Sequence, residues 1–163
     1  MIVVADTSVL INLCCAGQGG LFKKLFREVV IPPEVAAEFV RLADVSPRFA
    51  SLKLPPGIQQ QSPKNLLAAV RAAPGLDAGE AAALSLAVEI RADAVLIDER
   101  RGYEVAVQLG LRTLGVLGIL LRAKSAGLLP AIKPVLDDLQ REAGFWLSDA
   151  LRKQALAAAA ENP

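Results

Sequence analysis

Four apolar residues in succession, Ile2 to Ala5, end abruptly in Asp6-Thr7-Ser8. A short run of this kind, rich in β-branched residues, reads as the buried centre of a parallel sheet. The same signature returns at Ala94-Val95-Leu96-Ile97, which ends in Asp98. Glu28-Val29-Val30-Ile31, stopped by Pro32-Pro33, reads as another strand, and Leu111 to Leu114 as a short last one. Val45 to Ser62 is irregular and punctuated by prolines, with a short edge strand expected near Ile58.

Between the strands the pattern becomes helical. Val9 to Ala16 is apolar around Asn12 and is closed by Gly17, Gly19 and Gly20. Leu21 to Arg27 is a short amphipathic piece. Glu34 to Ala43 follows Pro33, which suits a first helical turn, and carries Val35, Phe39 and Leu42 on one face. Asn65 to Ala73 reads as a helix ended by Pro74-Gly75. Asp77 and Glu80 form a D-x-x-E capping box for a helix to Ile90 that is apolar on most sides and expected to be buried. Further helices are expected over Tyr103 to Leu109, Val116 to Ala126 and Pro130 to Ala143. Phe145-Trp146-Leu147 reads as an apolar anchor, with Trp146 docking a final helix capped by Ser148. This alternation predicts an α/β fold with a mostly parallel sheet flanked by helices: one domain over 1–163, with 115–163 as a C-terminal helical extension.

Composition narrows the chemistry. With 163 residues, 53% hydrophobic and 21% charged, the chain is globular rather than disordered. It carries no apolar run of membrane-spanning length and no basic stretch ahead of its first apolar segment, so a cytoplasmic protein is expected. Cys14 and Cys15 read as two buried, reduced thiols on an early helix. There is no histidine, which removes Ser-His-Asp and Cys-His mechanisms and disfavours zinc. A net charge of +1 means that nucleic-acid binding needs a local basic patch.

Four acids have a structural reason to meet. Asp6 and Asp98 end two parallel strands at one edge, Glu80 begins a helix, and Glu38 lies on the helix after the second strand. Clustered carboxylates raise one another's pKa values, and a divalent ion with a taste for oxygen, Mg²⁺ or Mn²⁺, relieves the repulsion. Each acid also has a plainer explanation: a turn or cap for Asp6 and Asp98, the capping box for Glu80, a solvated helix face for Glu38. Glu34, in the first turn of its helix, fits the helix dipole. Arg100 and Arg101, with Arg91 and Arg112 on neighbouring segments, read as a phosphate-binding rim or as an ion-paired face. Tyr103 reads as a core residue before a base-stacking one.

The motifs together resemble a known family. Val3-Val4-Ala5-Asp6-Thr7-Ser8-Val9-Leu10 is similar to the opening of PIN-domain nucleases, and Val30 to Phe39 to their second motif. Leu76 to Ala87 and Val95 to Gly102 resemble the third and fourth. The Gly79-Glu80 helix start and the segment Gly144 to Ser148 resemble a branch of toxin-like ribonucleases. The resemblance covers nearly the whole chain, in order. It implies a PIN-like three-layer fold around a five-stranded sheet and Mg²⁺- or Mn²⁺-dependent cleavage of RNA. By position, Asp6, Glu38, Glu80 and Asp98 are the implied catalytic acids, and Asp6, Glu80, Asp98 and Glu99 the implied metal ligands. Strand alternation sends Asp98 and Glu99 to opposite sides, so one of the two is expected at the metal. Thr7, Ser8, Asn12, Arg100 and Arg101 are expected to face the substrate. Relatives of this kind imply a homodimer and a small antitoxin partner, with no membrane. Two other readings stand beside an endoribonuclease. One is a PIN-fold regulatory protein binding partners through the apolar stretch Val116 to Leu147. The other is a phosphatase-like enzyme using Asp6, disfavoured because Asp98-Glu99-Arg100 occupies the place where a lysine is required.

Overall fold

The computed structural model describes all residues from Met1 to Pro163. Five strands, β1 (Ile2–Ala5), β2 (Glu28–Ile31), β3 (Ile58–Gln60), β4 (Ala94–Leu96) and β5 (Thr113–Leu114), form one sheet in the order β3-β2-β1-β4-β5. Every neighbouring pair is parallel. β1 is central: Val4 aligns with Val30 on one side and Val95 on the other. Its Val3, Val4 and Ala5 are completely buried, which is why the strand is apolar without alternation.

The helices are α1 (Thr7–Cys15), α2 (Leu21–Leu25), α3 (Pro33–Val45), α4 (Ala68–Arg71), α5 (Ala78–Glu89), α6 (Arg100–Gln108), α7 (Val116–Ser125), α8 (Lys133–Arg141) and α9 (Asp149–Ala158). A single 3-10 turn, Pro47–Phe49, follows α3. Parallel connections return the chain across the sheet, so α1, α3 and α6 all leave from its carboxyl edge. α3 packs on α1 and α5, and α5 lies against β1 and β4. α7 packs on α1 and α2, α8 on α1, and α9 on α7. No helix is long and apolar enough to cross a membrane.

Several expectations are corrected. The helix expected over 65–73 shrinks to α4. The chain before it is non-helical, with a bend at Lys64 and Asn65, and amides of this stretch are bonded elsewhere: Lys64 N–H donates to Glu89 Oε2 at 2.7 Å and Leu67 N–H to Ser85 Oγ at 3.1 Å. α6 begins at Arg100 rather than Tyr103, and α8 at Lys133 rather than Pro130. Trp146 is no anchor, since it is 82% exposed; buried Leu147, with half-buried Phe145, packs in its place. Tyr103 is 50% exposed on the outer face of α6, beside Val107 one turn on, and not in the core. Cys14 and Cys15 are free but only half-buried. Ser148 does cap α9, its Oγ accepting from Leu151 N–H at 3.1 Å.

Candidate active site

The carboxyl edge of the sheet is built around Asp6. Its backbone N–H donates to Leu96 O of β4 at 2.9 Å, so the residue just past β1 is fixed by the neighbouring strand. Asp6 stands in the N-cap position of α1 yet makes no side-chain capping bond. It is 3% exposed, and its Oδ1 is buried without any partner. A buried carboxylate oxygen with no donor is costly. Burial, with the nearby charges of Glu80, Asp77 and Glu38, pushes the Asp6 carboxyl up to about 7, although the Thr7 backbone N–H opposes the shift.

Glu80 meets Asp6 from α5. The capping box forms as read from the sequence: Glu80 N–H donates to Asp77 Oδ1 at 2.7 Å, and Asp77 N–H to Glu80 Oε2 at 3.1 Å. That role uses only one oxygen. Oε1 is buried and unpartnered in a residue 4% exposed. Burial first, then the charges of Asp77, Glu99 and Glu38, raises the Glu80 carboxyl above its usual value despite the Asp77 N–H. Gly102 of α6 leaves room for this oxygen: a Cβ there would stand 2.9 Å from Glu80 Oε1 and would strike Ile97 Cδ1.

Glu38 is not a freely solvated helix residue. Its Oε2 accepts from the Thr7 hydroxyl at 2.9 Å, while Oε1 lies 4.0 Å from Arg41 Nη2. The same Oε2 would be 3.2 Å from a Cβ on Gly79, so α3 and the first turn of α5 approach closely here. The two acids after β4 part company. Asp98 is exposed as a residue, but its carboxylate is tucked against the start of α7, where it accepts the Val116 N–H at 3.1 Å, and burial raises its carboxyl above its usual value. Glu99 is exposed too, but its charge acts on Glu80.

The remaining candidates divide. Thr7 is buried and holds Glu38. Ser8 Oγ is buried without a partner. Asn12 is half-buried one turn further along α1. Arg100 Nε donates to Glu104 Oε1 at 3.2 Å, and Arg101 bonds Pro74 O at 2.7 Å and Glu104 Oε2 at 3.2 Å. These two arginines hold the Glu104 carboxyl below its usual range. Three contributors escaped the sequence. Asp77 read only as a cap and Glu34 only as a first-turn acid, yet both line a cleft of about 340 Å³ with Glu38 and Arg41. Gly102 carried no signal at all, since its meaning lies in what it touches across the fold.

A family model described as PIN domain matches residues 2–161. The chain belongs to the PIN-domain family. This places it in a superfamily whose members are, in general, nucleases. Among solved structures the PIN chain is similar to a PilT N-terminus domain protein from the hyperthermophilic archaeon Sulfolobus solfataricus P2. The TM-score is 0.54 at 19% sequence identity, over 80% of this chain and 95% of that one. At that identity the likeness is one of fold. No curated protein matches the chain.

The donor set suits a hard divalent ion. All the acids offer oxygen, and Asp6 Oδ1 and Glu80 Oε1 are buried oxygens that lack a partner within the protein. As the side chains stand, no three of them come close enough together to enclose an ion.

Proposed function

We propose that this PIN-domain protein is a Mg²⁺- or Mn²⁺-dependent endoribonuclease. The observation that carries the reading is the pair of buried, unpartnered carboxylate oxygens, Asp6 Oδ1 and Glu80 Oε1, in one acidic neighbourhood. Asp6 and Glu80 would hold the ion, with Glu99 or Asp98 completing the set from the end of β4. When bound, the ion supplies a water of lowered pKa and neutralises charge on the phosphodiester.

The protein's own groups have defined tasks. Thr7 donates to Glu38 Oε2 and so fixes the orientation of that carboxylate. Glu38 Oε1, held only loosely by Arg41, is left to accept a proton from the attacking water. Asp77 holds Glu80 Oε2 through its backbone N–H, so Oε1 is the oxygen that would bind the ion. Asp6, whose carboxyl is raised to about 7, would hold the ion as its carboxylate. Water then adds to phosphorus in line as Glu38 takes its proton, one P–O ester bond breaks, and the leaving oxygen takes up a proton from solvent. No histidine is required at any step.

The deciding experiment incubates the purified protein with mixed RNA and Mn²⁺, beside Asp6→Asn and Glu80→Gln. Metal-dependent cleavage by the wild type and loss of at least 100-fold in each variant is expected, on the scale of removing a group essential to the transition state. Equal cleavage by Asp6→Asn sinks the proposal. A wild type that binds Mn²⁺ but cuts nothing leaves a PIN-fold binding protein.

A further inference from the structure

The acidic cleft does not end at the acids. A second cleft, of about 410 Å³, is lined by Ser62, Lys64, Asn65 and Arg71 and shares Glu34 and Ala78 with the first. The two clefts therefore adjoin at Glu34 and Ala78, the first beside Glu38 and Asp77 and the second beside the segment before α4. The far end is basic. Lys64 and Arg71 are exposed and have no carboxylate within ion-pair distance. The other cations near the acids are engaged: Arg41 stands by Glu38, and Arg100 and Arg101 bond Glu104.

The basic end is also held in place. Lys64 and Leu67 give their backbone N–H groups to Glu89 and Ser85 of α5, which fixes the segment that carries Lys64 and Asn65. With a net charge of +1, the protein has no general pull on a polyanion, so free cations on one groove matter. Glu34, at the junction, repels phosphate and confines it to the Lys64–Arg71 end. We propose that Lys64 and Arg71 bind a backbone phosphate of a single-stranded RNA, beside the nucleotides that lie over the acids. This deepens the reading of the acidic cleft as the cleavage site and rests on it for the strand's destination.

The test measures anisotropy of a labelled single-stranded RNA in EDTA, where cleavage is absent, over a series of salt concentrations. The variants are Lys64→Ala/Arg71→Ala and, as a charge-matched control, Lys23→Ala/Lys24→Ala. Lys23 and Lys24 lie on α2, where Lys23 lines a cleft at the opposite, amino edge of the sheet with Gly57 and Ile58. All four side chains are exposed, so the variants should fold, and circular dichroism checks this. The groove variant should lose about tenfold in affinity at low salt. Its slope of log K against log salt should be shallower by about 0.7, one phosphate neutralised on a single strand. The control should match wild type, and Mn²⁺ binding measured by calorimetry should be unchanged in both. Equal losses in the two variants, no loss in the groove variant, or no RNA binding by wild type each overturns the proposal. Because binding is read without metal, a failed cleavage assay leaves this result intact, and the two readings fall separately.

Discussion

Asp6 shows how a single carboxyl ties stability to the site. Its folded value of about 7 lies above the ordinary 3.8, so between those limits the native state binds more protons than the unfolded one. Asp6 thus favours folding most below about pH 4, and that contribution is lost as pH rises through 7. In EDTA the melting temperature of the wild type should fall from pH 5 to pH 8. Asp6→Asn should flatten that dependence and be more stable at pH 8 by on the order of 3 kcal/mol. Parallel curves for the two proteins would remove Asp6 as the cause. Gly102→Ala makes a second residue-scale case. The added methyl meets Ile97 and Glu80 Oε1 and should cost about 1–3 kcal/mol of overpacking. Adding Ile97→Val should recover part of the stability in denaturant titrations. Mn²⁺ affinity should stay low, because Glu80 remains crowded.

At the scale of elements, the capping box of α5 carries two roles on one residue. Asp77→Ala should cost about 1 kcal/mol, seen as a lower urea midpoint, through loss of the cap on the Glu80 N–H, and should leave Mn²⁺ binding little changed, because the backbone N–H that holds Glu80 Oε2 is kept. Asp77→Asn, which still caps, should restore stability. The strands and most helices were legible because the buried sheet demands short apolar runs and the helices carry visible stops. The stretch before α4 was not, because its geometry follows from bonds to Glu89 and Ser85, more than fifteen residues away. Residue type misled at Tyr103 and Trp146. Aromatic rings are often buried, but the i, i+4 pair Tyr103–Val107 faces outward, and Leu147 takes the buried place beside Trp146. Among the acids, position along the chain marked Asp6, Glu38 and Glu80. The fold adds that Asp98 meets α7 and that the charge of Glu99 bears on both Asp98 and Glu80.

The whole molecule is closed by its last residues. Glu161 accepts from Lys124 Nζ at 2.7 Å and from the backbone N–H groups of Ile132 at 2.7 Å and Lys133 at 3.0 Å. One carboxylate therefore ties the tail after α9 to α7 and to the start of α8. Glu161→Ala should cost about 1–3 kcal/mol in urea unfolding, since it leaves those donors unmet. Trp146→Ala, at an exposed site, should change stability by less than about 0.5 kcal/mol. The central place of β1 has a consequence for the order of events during synthesis. The first strand to be made is the one that needs partners on both sides, and the carbonyl that fixes Asp6 belongs to Leu96, 90 residues later (96 − 6). Until that length of chain has left the ribosome, Asp6 and Glu80 have no common edge to meet on. The acids of the candidate site would thus stay apart while the first half of the fold is being made.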